Sequence, residues 1–180
     1  MDTKIHNIRA ALSHLASKDV GLVFAKVSVD GPQKLFYRFL DFVRRRIPVT
    51  ASGELMLIKN GMFDKVLPLK PCKAEDSCIL FKVLELKQKA IFSEECFVYT
   101  QRTKIIRKEE DYKRRTVTGL YQALTYTRPP SFVRLFYILL PLICPVLLFS
   151  GKSGFYWTKG ILRGFADYLR GDRIGSWTPM

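Results

Sequence analysis

The run LFYILLPLICPVLLF, residues 135–149, constrains this chain more than any other segment: it is uncharged, almost wholly apolar, and broken by Pro141 and Pro145. At about 1.5 Å per residue it reaches roughly 22 Å as one helix, short of the ~30 Å hydrocarbon core of a bilayer. Arg128 and Arg134 precede it, and Lys152, Lys159 and Arg163 follow it, so both ends favour the cytoplasmic side under the positive-inside rule. A re-entrant or interfacial helical hairpin, kinked at the prolines, fits better than a span. The other reading of such a run is a buried helix pair in a soluble core. Downstream, FYWTKGILRGFADYLRGDRIGSW alternates aromatic residues with cations, and tyrosine and tryptophan favour the membrane interface.

The rest of the chain is not a disordered tail. Its 180 residues are 48% hydrophobic, enough for one compact domain with an appendage. A formal net charge of +14 repels itself in the folded state and points to an anionic partner: lipid head groups, nucleic acid or a phosphorylated substrate. Nucleic acid explains the charge but not the apolar run, and the cations form no recognisable nucleic-acid motif, so no nucleic-acid partner is expected. Cys72, Cys78, Cys96 and Cys144 form no CxxC pair and no zinc spacing, which reads as structural cysteines in a reduced compartment. His6 and His14 lack accompanying carboxylates and predict no metal site. The opening MDTKIHNIRAAL has no apolar h-region and no small-residue cleavage site, so it is not read as a signal peptide.

Periodicity predicts an α/β order. Ile5, Ile8, Leu12 and Leu15 recur at helical spacing behind Asp2 and Thr3, both able to cap a first turn. The β-branched run VGLVFAKVSV reads as a buried strand ended by Asp30-Gly31-Pro32. Residues 35–46 predict a helix with Phe36, Phe39, Leu40 and Val43 on one side and Arg44, Arg45 and Arg46 at its end, where cations complement the dipole and could reach phosphate. SGELMLIKNG predicts a short strand, and 75–88 a helix with Glu75 and Asp76 in its first turn. KAIFS and CFVYTQ predict strands. From Arg102 to Pro130 the cation-rich sequence predicts a basic amphipathic helix against a charged surface. The organisation expected is therefore 1–101 as a mixed-sheet α/β domain, 102–130 as a basic helical region, and 131–180 as a membrane-associated hairpin and tail.

Taken in order, Asp2-Thr3, VGLVFAKV, SGELMLIKNGMFDKV, AEDSCILFKVLELKQKAIFSEECFVYTQ, YKRRTVTGLYQAL and KGILRGFADYLRGDRIGSW resemble family 2 glycosyltransferases, the inverting enzymes of GT-A fold. The resemblance covers nearly the whole chain. It implies a partial GT-A-like mixed sheet with flanking helices, followed by amphipathic and membrane-associated helices.

The resemblance also assigns roles. Asp2 is similar to the second aspartate of the family's Asp-x-Asp motif, which holds a divalent metal, Mg or Mn, and the donor diphosphate. The first aspartate and the nucleotide-binding strands before it have no counterpart, so the expectation is an acceptor-side part whose donor-binding half is missing or is another chain. Asp76 resembles the catalytic base that takes the proton of the acceptor hydroxyl, with Glu75 positioning acceptor or base. The alternative for both is an acidic first helical turn complementing the dipole. Arg114 and Arg115 stand where processive members carry Gln-x-x-Arg-Trp and are candidates for the donor phosphates, or equally for lipid head groups. Tyr112 and Thr116 replace the glutamine and tryptophan, which favours single-sugar transfer. Gly53 and Glu54 fall on the strand lining the acceptor side, or serve turn and strand geometry. The partners implied are a nucleotide-sugar donor, a lipid-linked or cell-surface glycan acceptor, and anionic lipids of the cytoplasmic face. A non-catalytic membrane adaptor retaining the fold remnant is the second reading.

Overall fold

The computed structural model describes residues 5–30, 34–101 and 105–171. It is a mixed α/β protein with a four-stranded mixed sheet and a long apolar helical run near its C-terminus. Two compact units divide it, Met1–Pro68 with Ile79–Arg102, and Leu69–Cys78 with Thr103–Met180.

In the first unit the sheet order is β1-β4-β2-β3. Strand β2 (Val20–Asp30) runs parallel to β4 (Lys89–Gln101) and antiparallel to β3 (Met56–Ile58), while β1 (Ile5–His6) pairs antiparallel with β4. The parallel pair requires a crossover, and it contains α2 (Lys34–Arg46), β3, α3 (Phe63–Val66) and α4 (Glu75–Glu85). Ala11 of α1 (Ile8–Leu15) packs with Val20, Val23, Ala25, Cys96 and Val98 to form the core on one sheet face.

Several expectations change here. The first helix begins at Ile8, because Ile5 and His6 pair with Val98 and Phe97 and the His6 ring stacks on Phe97 at 4.8 Å. Asn7, at φ 54°, turns the chain between them. The capping candidates Asp2 and Thr3 lie outside the described residues. KAIFS and CFVYTQ are one strand: β2 pairing steps from Ala25↔Ser93 to Lys26↔Phe97, so Glu94, Glu95 and Cys96 are a bulge, within which the Cys96 amide donates to Ser93 Oγ. On α2 the buried stripe is Tyr37, Asp41 and Arg44, whereas Phe39 and Phe42 are exposed. The rotation follows from charge pairing, since Asp41 and Arg44 lie 3.5 Å apart with both side chains buried. The arginine triplet is likewise engaged: Arg44 with Asp41, Arg45 with Glu94, and Arg46 over the Phe42 ring.

Helix α4 stops earlier than periodicity suggests. Lys87 takes φ 58°, the Gln88 amide donates to Val83 O and the Lys87 amide to Leu84 O, which is a Schellman ending with lysine where glycine is usual.

In the second unit α5 (Lys108–Tyr126) and α7 (Gly151–Leu169) pack side by side and parallel, as pairs from Glu109–Trp157 through Arg114–Asp167 to Thr125–Tyr168 show. Close approach is set by Gly160 and Gly164, where an added Cβ would lie 2.6 Å from Glu110 O and 2.5 Å from Arg114 O. Between them in sequence, α6 (Ser131–Ile143) continues into a 3-10 segment, Cys144–Ser150.

The run Ser131–Leu169 is long and apolar enough to cross a membrane, and its apolar part is mostly exposed. Its path is a hairpin. Gly151, at φ 70°, turns the chain, Thr158 Oγ1 donates to Cys144 O at 3.0 Å, and Gly154 lies directly against Leu147 O. The contacts therefore pair descending with ascending residue numbers.

Candidate functional site

Glu75 and Asp76 open α4. Glu75 is exposed and Asp76 half-buried. Asp76 Oδ1 accepts hydrogen bonds from the Ser77 amide at 2.8 Å and the Ser77 hydroxyl at 3.3 Å. These fix the carboxyl at the positive end of a helix.

The loop before them is held to α5. The Lys73 amide donates to Gln122 Oε1 at 3.0 Å, and Ala74 is packed so tightly on Gly119 that a Cβ there would collide with the Ala74 backbone nitrogen. Gln122 also lines a cavity of about 310 Å³ with Thr125, Tyr126, Tyr168 and Leu169. A carboxylate pair, an amide-fixed loop and a small cavity thus belong to one unit.

Arg114 and Arg115 are on α5 in that same unit. Arg114 makes a two-pronged pair with Asp167 of α7, Nε to Oδ2 at 2.5 Å and Nη2 to Oδ1 at 3.0 Å; its guanidinium serves the α5–α7 seam. Arg115 is half-buried with Nε shielded from solvent. Gly53 is exposed and Glu54 half-buried in the loop before β3; both belong to the other unit.

The rest of the seam uses charges in the same way. Glu110, buried on α5, accepts from Lys159 Nζ at 3.0 Å and from Arg163 Nη1. Burial raises its carboxyl pKa, but the two cations outweigh burial and hold it below the ordinary glutamate value. The Trp157 indole donates to Glu109 Oε2 at 3.2 Å, and Lys113 Nζ stands 3.6 Å over the Trp157 ring. Lys113, Lys159, Arg163 and the candidate phosphate ligand Arg114 therefore contribute to helix packing.

No local sequence pattern marks Glu110 or Asp167. Gly160-x-x-x-Gly164 was the available signal for the seam, because small residues four apart let two helix backbones approach.

Among the described residues no group of three or more His, Cys, Asp or Glu side chains is placed to hold a metal ion. Asp2, the metal residue implied by the resemblance, lies outside them. No protein-family model matches the chain, and no curated protein matches it.

Proposed function

We propose that this chain is the membrane-seated, acceptor-side part of an inverting glycosyltransferase of GT-A type. The observation that carries the reading is that the carboxylates Glu75 and Asp76 share a compact unit with an uncovered apolar hairpin. On α6 and its 3-10 continuation, Leu135, Ile138, Leu142, Val146 and Phe149 recur at helical spacing and are all exposed, Leu142 at 75% and Phe149 at 93%. Lys152 of α7 and Arg170 just past its end share one edge with Lys159 and Arg163, which stay about half exposed while paired with Glu110, and Phe155, Leu162 and Leu169 follow the adjacent edge. A hairpin lying in the cytoplasmic leaflet, its α6 face among acyl chains and its cationic edge at the head groups, satisfies both edges. The polar turn at Lys152 fits this in-plane arrangement better than a span.

A lipid-linked acceptor would then arrive at the level of Asp76. Its hydroxyl oxygen attacks the anomeric carbon, the bond to the nucleoside diphosphate breaks, and Asp76 takes the hydroxyl proton. The nucleotide-sugar donor, with the Mg or Mn that the resemblance implies, belongs in this reading to a donor-binding segment or a separate chain. Single-sugar transfer is favoured over polymerisation.

One observation favours the adaptor reading: Arg114, the candidate phosphate ligand, is committed to Asp167. The two readings separate in membranes from cells producing the full chain or its Asp76→Asn variant. These are given a panel of nucleotide sugars and polyprenyl-phosphate-linked acceptors, with products read by mass spectrometry. A transferase loses about 100-fold or more of its rate when the Asp76→Asn change removes the base; transfer indifferent to Asp76, or absent throughout, leaves the adaptor.

A further inference from the structure

Cys72 lies in the loop before α4 and Cys78 one turn inside the helix, with their Sγ atoms 2.8 Å apart. Unbonded sulfur atoms do not normally approach so closely, and a bond of about 2.05 Å needs only a small further movement. Both thiols are free. Cys72 is half-buried and Cys78 fully buried. The two bracket Lys73-Ala74-Glu75-Asp76-Ser77, so a bond between them would close a ring containing both candidate carboxylates. Lys73 and Ala74 are already fixed on α5 through Gln122 and Gly119, which holds the loop carrying Cys72 in place.

We propose that Cys72 and Cys78 are a redox-active dithiol that a peroxide oxidises to an intramolecular disulfide, clamping the turn that carries Glu75 and Asp76. The hydrogen bond from Cys78 is the main cause that lowers the Cys72 thiol pKa, with the Ala74 amide adding to it against burial and the neighbouring carboxylates. That same contact, with burial, pushes the Cys78 thiol well up. Cys72 is therefore the attacking thiolate and Cys78 the resolving thiol. Cys72 sulfur attacks one peroxide oxygen, the O–O bond breaks, and the departing hydroxide takes a proton to become water. Cys78 sulfur then attacks the sulfenic sulfur of Cys72; the S–O bond breaks and the leaving hydroxyl carries off the Cys78 proton as a second water. Two thiols and one hydrogen peroxide give one disulfide and two waters. In a reducing compartment such a bond is transient and regulatory rather than structural.

The consequence for transfer rests on the glycosyltransferase reading; the thiol chemistry does not. The test treats the detergent-solubilised full chain with one equivalent of hydrogen peroxide, followed by alkylation and tryptic mass spectrometry. Cleavage after Lys73 separates the two cysteines, so the expected product is VLPLKPCK cross-linked to AEDSCILFK, reversible by dithiothreitol and lost in Cys72→Ser. Amide hydrogen exchange in residues 75–78 should slow about tenfold on oxidation. Peroxide that leaves both cysteines alkylatable, carries Cys72 to sulfinic acid without a cross-link, or joins either one to Cys96 or Cys144 would overturn the proposal. So would a cross-link without slowed exchange, since the turn would not be clamped. Sugar transfer enters none of these readouts, so failure of the enzyme reading would be seen separately.

Discussion

The Tyr121 hydroxyl donates to the carbonyl oxygen of Tyr137 at 2.7 Å, the carbonyl that Pro141, four residues on, has no N–H to serve. A proline inside a helix orphans the acceptor one turn back, and here a buried tyrosine from α5 supplies the donor. Pro145 repeats the arrangement one turn later: it orphans Pro141 O, and Cys144 Sγ approaches that oxygen at 3.4 Å. Pro141, expected as a kink, is thus an attachment point to α5. Tyr121→Phe keeps the ring contacts with Phe165 and Tyr168 but strands the carbonyl, so it should destabilise the unit by about 1–2 kcal/mol. In a Pro141→Ala background, where the amide returns, the same change should cost less than half as much. Equal costs in both backgrounds, by denaturant unfolding in detergent, would show that the proline and the tyrosine are not linked.

Glycine-to-alanine changes in a helix ordinarily stabilise by about 0.5–1 kcal/mol. At Gly160 and Gly164 the sign should reverse. The added methyl meets backbone carbonyl oxygens of α5 at 2.6 and 2.5 Å, which cannot yield as a side chain would, so each change should cost about 1–3 kcal/mol. Thermal unfolding of the two variants checks this, and a rise in melting temperature in either would mean that the helices are not in contact there.

Glu110 gives the seam a pH dependence of defined sign. Its folded pKa lies below the ordinary 4.5, so in acid the unfolded chain binds more protons than the folded one. The carboxylate's contribution is complete above pH 4.5 and is lost as pH falls through the lowered folded value. Lys159 and Arg163 are about half exposed, and this screening keeps Glu110→Gln to a loss of about 1–3 kcal/mol at neutral pH. The gap between the two proteins' unfolding free energies should narrow as pH is lowered from about 7 through 4.5 and below. A gap that stays constant across that range would assign the loss to packing.

Local pattern carried most of the elements and little of their assembly. The strand VGLVFAKVSV, the helix opening at Glu75 and the apolar run over 135–149 follow from β-branched runs and apolar periodicity, which act within a few residues, whereas the hairpin turn falls at Gly151 and not at the prolines. The single strand β4 was not legible because its bulge is set by β2 pairing, and the buried face of α2 was not because Asp41 and Arg44 neutralise each other on the inside. At the candidate site, Glu75 and Asp76 at a helix start could be read from order alone. That Arg114 would face Asp167, 53 residues later, depends on parallel packing of α5 and α7, which no local window contains.

The proposed membrane seat makes the final prediction. Leu142 and Val146 are exposed and contribute little to folding, yet each would bury most of a large apolar side chain in acyl chains, worth about 1.5–3 kcal/mol. Leu142→Asp/Val146→Asp should therefore lower partition into phosphatidylcholine–phosphatidylserine vesicles by about 100-fold or more, while unfolding in detergent shifts by less than about 0.5 kcal/mol. Added phosphatidylserine should strengthen wild-type binding, and salt should weaken it, through the cationic edge of α7. Trypsin added outside vesicles to which the protein has bound should reach both Arg134 and Lys152, since an in-plane hairpin returns its turn to the side from which it entered. Cleavage at Arg134 with Lys152 protected would make the run a span, and undiminished binding of the double variant would remove the apolar face of α6 from the membrane.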